Sequence, residues 1–161
     1  KQFAQAGLNQ TIAVFGPAFS FDERLLQAVK EAAVGVKNGS QWTHDLDNPA
    51  NRQFVAAFTT TYGRTPTLYA SQGYDAARLL GSALKQVGGD VSDREALRQA
   101  IRKADFETVR GSFAFSANQH PIQNLYIREV VKDEGGNYTN QTIETVFTDH
   151  SNVYVEQCHL K

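Results

Sequence analysis

A short apolar run that ends at a Gly-Pro pair and leads into a helical pattern constrains this chain more than any other feature. Residues 11–15 are rich in β-branched and aromatic side chains, and Gly16-Pro17 ends the run. Leu25 and Val29 then lie on one helical face, and Gly35 ends that pattern. A buried strand, a loop and a helix in this order form one unit of a layered α/β domain. The sequence therefore predicts an α/β fold.

Helical patterns dominate the middle of the chain, and strand patterns dominate its end. Ser20 and Ser92 each have the spacing of a capping box that opens a helix, and Asn48-Pro49 has that of an N-cap followed by a first-turn proline. The sequence predicts further helices over 1–7, 48–63, 67–87 and from 92 onward. Strands are predicted within 34–42 and at 112–115, and a hairpin is predicted around the turn at 133–137.

Composition excludes several classes of protein. Sixteen Lys and Arg residues nearly balance 17 Asp and Glu residues, so the net charge of −1 provides no field to attract nucleic acid or an anionic membrane. No apolar run approaches the ~18 residues of a membrane span. The chain starts at Lys1 and contains neither a methionine nor a signal peptide, so we expect it to be processed or to be a piece of a longer protein.

The sequence carries no enzyme pattern, and we predict no catalytic residue, no metal and no cofactor. His44 lies in a loop before a capped helix, where a metal or local hydrogen bonding at the helix start would account for it. The side chains of Cys158 and His159 are adjacent in sequence and therefore diverge. There is no phosphate-binding glycine loop and no nucleophile elbow.

The loop after the first predicted strand is the first candidate ligand site. In open α/β sheets, ligands lie beyond the carboxyl ends of the strands. We expect Phe15 to belong to the core, whereas Phe19 in the middle of the loop either faces a ligand or packs nearby. With Ala18 and Ser20 it forms the predicted ligand-binding stretch of this loop.

The start of the long helix is the second candidate. Tyr69 and Gln72 lie three residues apart and share a helical face, where a phenol and an amide are suited to contact a small molecule. Tyr69 either contacts the ligand or packs under a neighbouring loop, and we expect Tyr74 to pack.

Taken in order, these segments resemble the C-terminal part of type I periplasmic solute-binding proteins of the branched-chain amino-acid-binding family. No single segment is specific, but the ordered set is, and it extends over nearly the whole chain. The segments that carry the resemblance are 5–8, 15–17, 33–35, 47–49, Phe54, 62–66, 70–77, 106–111 and 126–131.

The resemblance implies two α/β sandwich lobes joined by a hinge, of which only the C-terminal part of each is present. Residues 1–42 would belong to the second lobe, 43–122 to the first, and 123–161 would return to the second. It also implies a periplasmic protein that carries a small molecule to an ABC permease in the membrane. Exposed sheet edges and half a cleft favour self-association of such a piece.

Ligand specificity is implied by one departure from the family pattern. Amino-acid-binding members have an acidic residue just after the Gly-Pro pair, which binds the ammonium of the ligand, and this chain has Ala18 there. A site without that carboxylate favours an aromatic carboxylic acid, contacted by Phe19 and Tyr69. The alternatives are an amino acid held by a carboxylate elsewhere, and the sensory domain of a receptor.

Overall fold

Within residues 1–159, which the computed structural model describes, the chain forms five α-helices and a five-stranded mixed sheet. The predicted α/β class is confirmed. The helices are α1 (Gln2–Gln5), α2 (Glu23–Val29), α3 (Pro49–Tyr62), α4 (Leu68–Gln86) and α5 (Arg94–Arg102). The strands are β1 (Phe15–Pro17), β2 (Lys37–Ser40), β3 (Phe113–Phe115), β4 (Pro121–Lys132) and β5 (Tyr138–His150). The last two residues of the predicted 123–161 segment lie outside this range.

Strand β4 organises the sheet. It pairs antiparallel with β5 along one edge, while β3 and β2 pair with successive segments of its other edge, and β1 is parallel to β2. Asn38 lies opposite Arg128, and Asn140 lies opposite Val130. Because side chains two residues apart on a strand share a face, all four side chains point to the same side of the sheet.

The helix ends confirm part of the capping prediction. The Asn48 side chain accepts a hydrogen bond from the backbone N–H of Asn51 at 2.8 Å, and Gly63 ends α3 with φ of 64°. The predicted caps at Ser20 and Ser92 are wrong, because Asp22 and Asp93 fill those positions and accept from the first-turn N–H groups. A carboxylate there also interacts favourably with the positive end of the helix dipole.

The predicted buried strand at 11–15 is wrong in its position and in its burial. Strand β1 starts only at Phe15, whose side chain is 71% exposed instead of lying in the core. Among the described strands, β1 pairs with β2 alone, so it forms the edge of the sheet. An edge strand with no layer packed over Phe15 cannot bury that ring.

Buried side chains form two cores. The sheet core, under α2, contains Leu26, Ala33, Val36 and Val130. The helical core contains Ala18, Trp42, Phe54, Leu68 and Val109. Two members of the helical core, Ala18 and Trp42, come from the segment predicted to belong to the other lobe, so the boundary at residue 42 remains a prediction.

Candidate functional site

The two predicted ligand-binding segments pack into the same core. Ala18 and Leu68 both belong to the helical core, and the residue after each of them is an exposed aromatic. The Phe19 ring is 56% exposed and the Tyr69 ring 61% exposed. The loop after β1 and the start of α4 therefore share one core, and each presents an aromatic side chain to solvent.

Close packing shapes the loop after β1. A Cβ atom at Gly16 would lie 2.6 Å from Cε2 of Phe21, so glycine lets the Phe21 ring pack over β1. Residues 18–21 form a 3-10 turn. In this turn the methyl group of Ala18 is buried and contributes to the helical core, whereas Ser20 is exposed. The side chain of residue 18 thus faces inward and leaves the outward position to Phe19.

The first turn of α4 exposes Tyr69 by burying its neighbours. Thr67 caps the helix by accepting from the N–H of Ala70 at 3.2 Å, while Leu68 and Ser71 point inward. Tyr69 lies between those two and points outward, and Gln72 is half-buried. The prediction that Tyr74 packs is confirmed, since its ring centroid lies 4.7 Å from that of Phe54.

Asp75 on α4 fixes the segment that leads to β3. Its carboxylate accepts from the Thr108 hydroxyl at 2.6 Å and from the Val109 N–H at 3.0 Å. Arg110 lies beside it, with Nε 3.3 Å from the Asp75 carboxylate. Burial lowers the pKa of Arg110 below its usual value, and the Asp75 charge opposes that change. This cluster holds Val109 in the helical core.

A second polar cluster escaped the sequence analysis. In this polar network (Glu23, Asn38, Arg128 and Asn140), Nε and Nη2 of Arg128 donate to the Asn38 side-chain oxygen at 2.9 and 2.6 Å. Asn38 donates to the Asn140 oxygen at 2.8 Å, and Asn140 donates to Oε1 of Glu23 at 2.7 Å. The first pair is 90 residues apart in sequence and the last is 117 apart, so no local pattern indicates the network.

Negative charge exceeds positive charge around the network. Arg128 is 1% exposed, and this burial lowers the pKa of its guanidinium. The carboxylates of Glu23, Asp45 and Asp22 oppose that change, in this order of strength. Three carboxylates therefore act electrostatically on one guanidinium. Nδ1 of His44 lies 3.9 Å from Oε1 of Glu23.

Hydrogen bonds tie the segment after β2 to β5. Burial opposes ionisation of Asp45, but donors from Thr43 and Thr142 outweigh it and hold the pKa of that carboxyl below its usual value. The Thr142 N–H donates to Asp45 at 2.8 Å, and the Thr142 hydroxyl does so at 2.7 Å. The His44 carbonyl accepts from Asn51 at 3.0 Å, which fits the hydrogen-bonding explanation of that loop. No group of three or more potential metal-ligating side chains occurs within residues 1–159.

A cavity of about 580 Å³ borders the polar network. It lies between α2, the end of α3 and the turn that joins β4 to β5, and none of Ala18, Phe19, Ser20, Tyr69 and Gln72 lines it. Its polar lining includes Glu23, Arg24, His44, Arg64, Tyr138 and Thr139.

A sequence profile of the periplasmic binding proteins matches residues 1–137. The chain belongs to this family. It is a type I periplasmic binding protein of the kind found with ABC transporters, as the resemblance of its ordered segments implied. None of the helices described in this periplasmic binding protein has the combined length and apolarity that crossing a membrane requires.

The protein is similar to relatives that are named for, or were solved with, different ligands. It is 30% identical over 149 residues to the Leu/Ile/Val-binding protein homolog 6 of Brucella abortus, covering 90% of this chain and 38% of the relative. It is 36% identical, with a TM-score of 0.79, to a Rhodopseudomonas palustris solute-binding protein solved with benzoate, covering 92% of this chain and 39% of that one. A second R. palustris solute-binding protein, solved with 3,4-dihydroxybenzoic acid, is 32% identical with a TM-score of 0.83, and the match covers 94% of this chain and 42% of that one. The periplasmic binding protein chain thus spans about two fifths of each relative's length.

Proposed function

We propose that the full-length protein is the substrate-binding component of an ABC importer and captures an aromatic carboxylate outside the cytoplasm. The observation that carries this proposal is the pair of exposed rings, Phe19 and Tyr69, on two segments that share one core. Exposed aromatic side chains on segments that share one core are suited to stack on a flat apolar ligand. The site would lie in the cleft between the predicted lobes, which close on the ligand by hinge motion before it passes to the permease.

Two further observations support an aromatic acid. The relatives from Rhodopseudomonas palustris were solved with benzoate and with 3,4-dihydroxybenzoic acid, at 36% and 32% identity. Position 18 bears a buried methyl group in place of the carboxylate that would pair with an ammonium. A buried ammonium without such a partner is destabilised by several kcal/mol.

A branched-chain amino acid is the second candidate ligand, because the Brucella relative is named for leucine, isoleucine and valine. It would require a carboxylate from another part of the protein to bind the ammonium. A receptor sensory domain would use the same cleft, and a transmembrane segment in the full gene would favour that assignment.

Titration calorimetry on the full-length protein separates the ligands. We expect benzoate or a hydroxybenzoate to bind and leucine not to bind. Tyr69→Ala should weaken binding of the aromatic acid by about 1–3 kcal/mol, while Tyr69→Phe should retain most of it. Tyr62→Ala is the matched control, because Tyr62 is 62% exposed but stacks on Phe58 of its own helix. Tight leucine binding would replace the aromatic acid with the second candidate, and equal effects of Tyr69→Ala and Tyr62→Ala would remove Tyr69 from the site.

Ala18→Glu is less informative than its position in the loop suggests. It would place a carboxylate into the helical core near Trp42 and Phe54, so loss of stability would mask any change in ligand preference. Phe19→Ala tests the same loop without that disturbance, since the Phe19 ring is exposed.

A further inference from the structure

The cavity beside the polar network shares no lining residue with the Phe19 and Tyr69 region. We propose that it is a second binding site, which takes a small zwitterion with its ammonium at Glu23 and His44 and its anionic group at Arg24 and Arg64. Its volume of about 580 Å³ falls within the range of small-molecule sites. This proposal does not depend on the ligand of the other cleft.

Glu23 provides a buried carboxylate that faces the cavity. Its side chain is 7% exposed, and Oε1 accepts from Asn140. Oε2 is buried and has no hydrogen-bond partner within the described residues, and the same is true of Nδ1 of His44. A buried carboxylate oxygen without a donor is unfavourable, and an ammonium group supplies both the donor and the opposite charge.

The charges around Glu23 also favour a cation. Glu23, Asp22 and Asp45 all act on the guanidinium of Arg128, so one positive charge faces three negative charges. That guanidinium donates to Asn38 and makes no hydrogen bond to Glu23 within the described residues. An ammonium group at Glu23 would add to the single positive charge that faces these carboxylates.

The two arginines that line the cavity favour an anion. Neither Arg24 nor Arg64 forms an ion pair with a carboxylate of residues 1–159. The Arg64 guanidinium carbon lies 5.0 Å from the centre of the Phe58 ring, which supports that side chain without neutralising it. The remaining lining carboxylate, Asp133, accepts from the N–H and side chain of Asn137 in its own turn. Planar guanidinium groups bind carboxylates through paired hydrogen bonds.

Calorimetry on the full-length protein tests the site with glycine, β-alanine, 4-aminobutyrate and glycylglycine, which differ in the distance between their charges. Butylamine and butyrate serve as probes with one charge. We expect at least one zwitterion to bind at least about tenfold more tightly than either single-charge probe, because only a zwitterion uses both Glu23 and the arginines. Glu23→Gln should weaken that binding by about tenfold or more, and Arg64→Gln by several-fold.

Lys85→Gln is the control, because Lys85 is exposed on α4 and does not line the cavity. Arg64 is also exposed, so Arg64→Gln tests the site even where Glu23→Gln lowers the melting temperature. Three results would overturn the proposal: no zwitterion binds, butylamine or butyrate binds as tightly, or binding survives both substitutions. Zwitterion binding lost in Tyr69→Ala but retained in Glu23→Gln would place the zwitterion in the other cleft and also reject this site. Failure of the aromatic-acid proposal has a separate signature, the absence of benzoate binding to the unmodified protein.

Discussion

Asn38 is the residue on which the polar network depends, and Asn38→Leu isolates its contribution. The side chain is 2% exposed, accepts two hydrogen bonds from Arg128 and donates one to Asn140. Leucine has the same branched arrangement of side-chain heavy atoms and somewhat larger terminal groups, so the substitution removes the polar contacts without leaving a cavity.

The expected cost follows from the groups that lose their partners. The Arg128 guanidinium keeps the carboxylates near it but loses the acceptor of two hydrogen bonds, and hydrogen bonding to a charged group is worth about 1.5–3 kcal/mol. The Asn140 oxygen loses its donor, which adds about 1 kcal/mol. We therefore expect Asn38→Leu to lower the free energy of unfolding by about 2.5–4 kcal/mol, a substantial part of the 5–15 kcal/mol typical of a domain.

Urea unfolding of the 161-residue chain measures this loss. Trp42 is the only tryptophan and is fully buried, so its fluorescence follows the helical core while far-ultraviolet circular dichroism follows the helices. The double substitution Asn38→Leu with Arg128→Met is the informative control. It removes the guanidinium that has lost its acceptor but leaves the buried carboxylates of Glu23 and Asp22 without its charge, so we expect it to be more stable than Asn38→Leu alone by only about 1 kcal/mol. A loss below about 1 kcal/mol for Asn38→Leu, or a double variant no more stable than the single one, would refute the argument.

Three other perturbations test separate parts of the structure. Asp45→Asn should destabilise the chain by about 1 kcal/mol at pH 7, a value reduced for partial exposure. The folded pKa of Asp45 lies below its usual value, so this stabilisation is present above about pH 4 and disappears as pH falls through the folded pKa. The difference between the unfolding free energies of the wild-type and Asp45→Asn chains should therefore shrink in acid. Thr67→Ala removes the N-cap of α4 and should lower the free energy of unfolding by about 1 kcal/mol, measured by urea titration. Thr60 is exposed on α3, so Thr60→Ala should lower the free energy of unfolding by less. The 161-residue chain should elute from a sizing column as a concentration-dependent oligomer, because β1 leaves an exposed edge at Phe15; a monomer at all concentrations would contradict that expectation.

Short sequence patterns predicted those helix ends and turns that depend only on residues close together in the chain. Asn48 with Pro49 marks the start of α3, Gly63 marks its end, and the Asp-Glu-Gly-Gly-Asn run marks the turn between β4 and β5. Ser20 and Ser92 matched the capping pattern equally well, but an aspartate closer to each helix displaced them. Pattern alone does not rank two neighbouring acceptors.

Two features could not be predicted from the sequence, for a different reason. They are the exposure of the sheet edge and the hydrogen bonds of the polar network. Residues 11–15 have the composition of a buried strand, yet Phe15 is exposed because burial depends on which layers cover it. The hydrogen bonds of Asn38 to Arg128 and of Asn140 to Glu23 join residues 90 and 117 positions apart. Only the register of β2, β4 and β5 brings these side chains to one face.

Position 18 shows how packing and ligand choice are linked. Its side chain is 4% exposed and belongs to the same core as Trp42 and Phe54. A carboxylate there would need a cationic partner at that depth, because an unpaired buried charge is strongly unfavourable. With alanine, the core needs no such partner. An apolar residue at this position therefore keeps the core stable without a cationic partner, and this is in keeping with the proposed aromatic acid.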